Sequence, residues 1–501
     1  MRRGRRLPAS GFRLPAFGSR LPGSLATSLA TLVVVLIGSA AGFTQERPDR
    51  SKPPALGPVA SLRLPPIEKR ALANGVPVWV VEAHEVPLVQ VSLVVMAGSG
   101  DDPQGQYGVA SLTAAMLDEG AGSRSALDIA DVAEFLGANL TTSSSFDASA
   151  VRLNVPVRRL ADALPLMADV ALRPTFPVAE LDRLRQERLT AILQARDDAT
   201  AVVGPAFSQV AFGKTHRYGT GANGTTATLK AFTPEELKVF HARHFQPGNA
   251  TLIVVGDVST AGVMPLLDQA FGSWKGGAAV SRTPVPAAPQ LTAGQVVVVD
   301  MPSAEQSQIR IGWVGVPRST PDYFALQVLN TVLGGSFTSR LNQNLREEHG
   351  YSYGANSRFD MRLSAGPFLA GAGVQTDKTA ESLKEFFKEL NAIGAPISAE
   401  ELAKAKNYLA LGFPSDFETI GDLSGRLEEM VVYKLPDNYY ADYVTRIQAV
   451  TAAEVQKAAA TYIQPGKFAV VVVGDQKTIE PGIRGLNLAP LRALSVDEVL
   501  P

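Results

Sequence analysis

Residues 233–257 (TPEELKVFHARHFQPGNATLIVVGD) and residues 451–475 (TAAEVQKAAATYIQPGKFAVVVVGD) align without a gap at an offset of 218, with ten identities in 25 positions. The shared residues include Gln-Pro-Gly and Val-Val-Gly-Asp. A helix–turn–strand unit recurring once at this distance marks a duplicated domain, not a solenoid of short repeats. The match loosens elsewhere, but Val178-Ala179-Glu180-Leu181 and Ser398-Ala399-Glu400-Glu401-Leu402 open corresponding helices. A chain of 501 residues is also too long for one core. The fold must therefore hold two like halves. Alternation of strand and helix patterns makes each half a mixed α/β (α+β) domain.

The pattern along the chain supplies the parts. Asn74-Gly75 marks a turn, and β-branched alternation predicts strands at 76–81, 89–96 and 148–155, with a buried strand at 252–255. Helical patterns begin at 105–116 and 128–136, and amphipathic helices follow at 157–170 and 178–194. Thr233-Pro234-Glu235-Glu236 is a helix start with Pro in the first turn. Residues 280–294 (VSRTPVPAAPQLTAG) have no helical or strand period and read as the linker between halves. The expected organisation is a signal peptide at 1–44, a linker at 45–64, a first domain at 65–279, the linker at 280–294, a second domain at 295–480 and a tail at 481–501.

The N-terminus reads as an export signal. Arg2, Arg3, Arg5, Arg6, Arg13 and Arg20 precede the first acidic residue, Glu46. Residues 25–37 form an apolar run of 13, short of the ~20 a spanning helix needs. Ser39-Ala40-Ala41 offers small residues for cleavage; an uncleaved anchor is the alternative. Removing six Arg takes the formal charge from −1 to −1 − 6 = −7, which gives no basic footprint for nucleic acid. No later apolar run reaches spanning length. The chain has no Cys, which excludes disulfides, thiolate zinc sites and cysteine catalysis and suits an oxidising space such as a periplasm.

One stretch carries the residues with chemistry, residues 329–354 (LNTVLGGSFTSRLNQNLREEHGYSYG). A helix should stop at Gly334-Gly335, which accept positive φ. Ser336 or Thr338 can cap the next helix. Leu341 and Leu345 sit four apart and face the core, so Arg346, about 100° further round, leaves it. His349-Gly350 ends that helix, and a strand begins with Tyr351 and Tyr353 on one face. The residues alone leave two readings open. Arg346 is a surface cation paired with Glu347 or Glu348 and Tyr353 a half-buried strand aromatic, or the two form a site.

The pattern S-R-L-x-x-x-L-R-E-x-x-G-x-x-Y-G resembles the second-half signature of the insulinase/pitrilysin-like zinc metallopeptidases, the family of mitochondrial processing peptidase. The resemblance covers roughly residues 65–480. It implies two homologous domains, each a mainly antiparallel sheet with helices, in a clamshell arrangement. It also implies that Arg346 and Tyr353, which match the family's Arg and Tyr at the family's spacing, contact a peptide substrate opposite a zinc site.

The zinc site does not carry over. The family's H-x-x-E-H places two His ligands and a catalytic Glu on one helix. The matching helix here is GVASLTAAM, residues 108–116, so Ser111 and Ala115 stand for the His pair and Ala114 for the Glu. The family's later glutamate ligand falls on Ala191, seven residues before Asp198, in a looser register. Methyl groups cannot bind zinc, and a lone Ser hydroxyl is a poor substitute for imidazole. Asp118 and Glu119 fall beyond the motif and read as solvated surface. Of the five His, only His241 and His244 are suggestively spaced, and they read as a structural pair at a helix C-terminus favoured by positive charge. His84 and His349 read as turn residues and His216 as part of a loop without catalytic duty. No nucleophile elbow, P-loop or dinucleotide fingerprint is present; the run 141–145 reads as a strand edge or loop.

Three functions follow from the resemblance. The first is the zinc-free subunit of a two-chain metalloendopeptidase, inactive alone. It would supply Arg346 and Tyr353 in trans to a homologous zinc-bearing subunit, with no cofactor of its own. The second is a non-catalytic binding or assembly subunit of the same fold. The third, a self-sufficient peptidase, lacks any group to activate water.

Overall fold

The structure, a computed structural model, describes residue 57 and residues 64–276, 282 and 284–500. The expected export signal and nearly all of the arm after it lie outside the described residues, as do 277–281 and 283.

The first sheet has six strands: β1 (Glu68–Ala71), β2 (Pro77–Glu82), β3 (Leu88–Val95), β4 (Asn139–Ser144), β5 (Ser149–Pro156) and β6 (Ala250–Gly256). The second has β7 (Gln295–Asp300), β8 (Gln306–Val314), β9 (Ser352–Phe359), β10 (Pro367–Gln375), β11 (Ala469–Gly474) and β12 (Leu491–Leu494). The spatial orders are β1-β2-β6-β3-β5-β4 and β12-β7-β11-β8-β10-β9. Strands β2 to β6 thus recur as β7 to β11 in the same order. Each half pairs its first and last repeated strands in parallel, β2 with β6 and β7 with β11, and its other repeated strands antiparallel. The halves differ at one edge: β1 runs antiparallel to β2, whereas β12 runs parallel to β7. This is the mixed α/β architecture expected from the strand–helix alternation, with the mainly antiparallel sheets that the family resemblance implied. Residues 141–144 belong to the edge strand β4.

Central strands such as β3 (LVQVSLVV) and β11 (AVVVVG) are buried on both faces. The unbroken Val run of β11 is the signature of a strand covered from both sides, whereas β3 alternates and buries Gln90 and Ser92 as well. The covering helices come from both halves. Helices used below are α1 (Val109–Met116), α2 (Val178–Ala195), α3 (Ala199–Phe212), α4 (Pro234–His244), α5 (Tyr323–Leu333) and α6 (Ile420–Tyr433). Helix α3 of the first half packs on β8 and β11 of the second. Its Val203, Phe207 and Val210 share a core with Val297, Val299, Val471 and Val473. Helix α6 of the second half packs in turn on β3 and β6 of the first, burying Leu427 and Met430 in a core that contains Val94, Ile253 and Val255. Ser92 Oγ meets Ser424 Oγ at 3.1 Å, and Arg152 donates through Nε to Glu428 at 2.7 Å. Each half lends a helix to the other's sheet, and residues from Leu64 on belong to one compact unit.

The segment expected as a tail is part of this fold. Its β12 extends the second sheet. Beyond it, Gln209 of α3 donates to the Val499 carbonyl at 2.8 Å, and Lys214 to that of Glu498 at 3.0 Å.

Candidate functional site

The glycines after α5 act by close approach rather than by left-handed backbone. Neither Gly334 nor Gly335 has positive φ. A Cβ on Gly334 would lie 2.4 Å from Ser357 N, and one on Gly335 2.5 Å from Asn330 Nδ2. The expectation of positive φ is corrected: the missing side chains let the loop lie against β9, where Ser357 N donates to the Gly334 carbonyl at 3.1 Å. Ser339, not Ser336 or Thr338, takes the N-cap position of the next helix, and its side chain makes no capping hydrogen bond. It makes one α-turn, Arg340–Asn342, and then widens into a π-turn, Gln343–Glu348. His349 N reaches Asn344 O at 3.1 Å, the five-residue spacing of a π-turn. Leu341 and Leu345 are fully buried as expected, and Gly350 ends the turn with φ +65°.

The π-turn lays Arg346 over a ring. Its guanidinium carbon stands 4.4 Å from the centroid of Phe337, which is itself exposed. Nη1 comes within 3.3 Å of Glu347 Oε1 but makes no hydrogen bond, and that nitrogen is buried. The simple surface pair with Glu347 therefore describes only part of its surroundings.

Tyr353 is 91% exposed, so it is not a half-buried strand aromatic. Nor do Tyr351 and Tyr353 share a strand face. Tyr351 precedes β9 and stacks on His349 at 4.9 Å. The β9–β10 register is irregular between Ser352 and Ala355, which puts Tyr353 and Gly354 in a bulge. Bulges re-aim side chains, and this one turns a phenol with a free hydroxyl to solvent.

In the first half, α1 is anchored at its N-terminus by Asp102, whose carboxylate accepts from Gly108 N at 2.7 Å and Ala110 N at 2.9 Å. Arg217, buried with it, donates to the same carboxylate at 2.8 Å. Burial pushes the Asp102 carboxyl up to about 6 against the pull of Arg217 and those two amides. Helix α1 presents Ser111 and Ala114 buried and Ala115 half-buried; Ala191 on α2 is exposed. A zinc ion would tie these helices together. Here a hydrogen bond does so: Arg188 of α2 donates to the Ser111 carbonyl at 3.0 Å, while Ser111 Oγ donates to Asn223 Oδ1 of a neighbouring turn at 2.8 Å. Burial lowers the pKa of Arg188 from its usual value. The residues present do not fit zinc. None offers a nitrogen or carboxylate ligand, and a guanidinium stands at the backbone of the first ligand position. Among the described residues, no group of three or more His, Asp or Glu is placed to hold a metal.

Two readings of acids and histidines are corrected by burial. Glu119 is not solvated surface; it is mostly buried and pairs with Arg183, and burial raises the pKa of Asp118 beside it. His241 and His244 are not cations at a helix end. Burial lowers the pKa of both, and Arg243 and Arg282 reinforce the effect at His244, which falls to about 4. His241 Nε2 contacts the Ala171 carbonyl at 2.9 Å, so the pair is structural.

Phe337, Asn342 and Arg188 did not emerge from the sequence. An exposed aromatic two residues after a Gly-Gly pair was the available signal for Phe337. Nothing in the sequence distinguishes Asn342 from any polar helix residue.

Comparison with known proteins agrees with this fold. Residues 78–220 match the family model "Insulinase (Peptidase family M16)" and residues 231–409 match "Peptidase M16 inactive domain". The chain is a two-domain α/β protein of peptidase type. It belongs to the insulinase, or M16, peptidase family. An uncharacterized zinc protease of Mycobacterium leprae is 27% identical over 360 residues, 72% of this chain and 81% of that one. One of Bacillus subtilis is 25% identical over 348 residues, 68% of this chain and 82% of that one. The crystal structure of a peptidase M16 inactive domain from Pseudomonas fluorescens superposes with a TM-score of 0.76 at 27% identity, covering 81% of this chain and 98% of that one. A protease from Helicobacter pylori shares the fold with a TM-score of 0.74 at 22% identity, covering 82% of this chain and all of that one.

Proposed function

We propose that this chain is the zinc-free, substrate-binding subunit of a two-chain M16 metalloendopeptidase. A homologous partner supplies zinc and the water-activating glutamate; this chain supplies Arg346 and Tyr353. The observation that carries the reading is an asymmetry. The four metal-site positions hold Ser111, Ala114, Ala115 and Ala191, while Tyr353 stands 91% exposed with Arg346 held on Phe337 nearby in sequence. A phenol free of protein partners can donate to a scissile carbonyl as it becomes an oxyanion. A guanidinium on a side chain that remains 34% exposed suits a substrate carbonyl or carboxylate. The matches to the two family models, over residues 78–220 and 231–409, support the fold on which the reading rests.

The test is reconstitution with an M16 chain that carries H-x-x-E-H. Tyr353→Phe removes one hydroxyl from an exposed ring, so the fold and complex should survive. Cleavage should fall on the order of 10²–10³, mainly in kcat. A wild-type rate in an intact complex would instead favour an assembly subunit of the same fold.

We also infer export. Six Arg, a short apolar run and no Cys support it. N-terminal sequencing of the mature protein should start near residues 40–46; intact Met1 on a cytosolic protein would end the idea.

A further inference from the structure

The exposed Tyr353 and the ring-stacked Arg346 sit on different elements. Tyr353 lies in the register gap between Ser352 and Ala355, so β10 does not fix it. Arg346 rests on Phe337, an exposed side chain on the loop after α5. One buried side chain touches both arms. Asn342 is 3% exposed, at the junction of the α-turn and the π-turn. Its Nδ2 donates to the Phe337 carbonyl at 2.6 Å. Its Oδ1 accepts from Ala355 N at 3.1 Å. A Cβ on Gly354 would be 3.7 Å from the same Oδ1, so the carboxamide lies against the bulge itself.

We propose that Asn342 is the positioning residue of the pair: its carboxamide clamps the Phe337 loop under Arg346 and the β9 bulge under Tyr353, setting the distance between guanidinium and phenol. The proposal rests on the reading of Arg346 and Tyr353 as substrate-binding groups. A carboxamide suits this task because it offers a donor and an acceptor in one rigid plane. No hydrophobic residue of the same size can do both, and a carboxylate can do only one. The bond from Ala355 N is buried and the one to the Phe337 carbonyl part-buried, so loss of the first leaves a buried N–H unpaired. A second partner, Ser352 Oγ, accepts from Gly354 N at 3.0 Å but is confined to the strand and cannot couple it to the helix.

Two variants separate the arms. Asn342→Leu removes both bonds at similar volume. Asn342→Asp at pH 8 keeps the acceptor for Ala355 N but places oxygen against the Phe337 carbonyl. In the reconstituted two-chain enzyme, Asn342→Leu should lower kcat by roughly ten- to a hundredfold, the scale of a 1 Å misplacement, and raise KM. Asn342→Asp should raise KM with kcat within about threefold of wild type, because only the Arg346 platform is disturbed. Combined with Tyr353→Phe, Asn342→Leu should add little further loss in kcat, as expected for residues acting through one group. Hydrogen exchange of the Ala355 amide, measured on this chain alone, should speed up in Asn342→Leu and not in Asn342→Asp. Unchanged exchange at Ala355 in folded Asn342→Leu overturns the clamp whatever happens to cleavage. Faster exchange with an unchanged kcat, or a kcat loss that multiplies fully with that of Tyr353→Phe, overturns the positioning role. If Tyr353→Phe itself leaves cleavage untouched, the proposed function fails, and the exchange result still decides the clamp.

Discussion

Phe207→Ala tests whether the two halves are one cooperative unit. Phe207 is on α3 of the first half, yet it is 2% exposed in a core that α3 shares with Val297, Val299, Val314, Ala469, Val471 and Val473 of β7, β8 and β11 of the second. The sheet is shaped to receive it: a Cβ on Gly312 of β8 would stand 3.0 Å from Phe207 Cζ and 2.0 Å from the Phe368 carbonyl. Truncating a buried Phe costs about 3–5 kcal/mol, part transfer and part unfilled cavity. At ~2.1 cal/mol/K per residue, a unit of this length has an unfolding entropy on the order of 0.9 kcal/mol/K, so Tm should fall by about 3–5 °C. Calorimetry reads the shift and hydrogen exchange reads its distribution. A single transition should move, and amides in β3 and β6 should lose protection together with those in β8 and β11. Loss confined to first-half amides, or a new early transition for one half, would refute the reasoning. It would mean that α3 and α6 are borrowed coverings rather than shared core.

Acid should weaken the fold through His244. Its imidazole is buried neutral, with a pKa lowered to about 4 by burial and by Arg243 and Arg282. The unfolded chain binds that proton first, so the stabilisation is complete above about pH 6.5 and fades as pH falls toward 4. By pH 4.5 the loss should reach roughly 2–3 kcal/mol, and His244→Gln in denaturant titrations at pH 7 and 4.5 should remove it. The wild-type chain, purified alone, should hold no stoichiometric zinc by elemental analysis. Restoring ligands with Ser111→His, Ala114→Glu, Ala115→His and Ala191→Glu should give weak binding that tightens when Arg188→Gln also removes the guanidinium; equal affinity with and without Arg188 would deny it any part in excluding the metal.

The contrast between the glycines at 334 and 335 and the alanines at 114 and 115 shows what a sequence can say. Loss of a metal ligand is a statement about chemical identity. Once the register on α1 is known, Ala115 cannot bind zinc in any conformation. The same holds for the duplication, since aligned residues 218 apart must build like units. It holds for a strand such as β11 too, whose β-branched run suits an extended, doubly covered backbone. The spacing of Arg346 and Tyr353 is likewise covalent. The role of Gly334 was not legible, because its constraint is a backbone atom 23 residues away, Ser357 N. Helix α3 was not read from the sequence, and no local pattern could have named it as the cover of the other half's sheet, since burial is non-directional and names no partner. Tyr353 reads as a strand aromatic until the bulge turns it out, and Asn342 reads as any helix polar residue until Phe337 and Ala355 are seen at its two ends. Local pattern and residue chemistry determined the elements, the duplication and the missing metal site. Long-range contacts decided which helix covers which sheet and how the guanidinium and the phenol are held, because those depend on atoms brought together only by the folded chain.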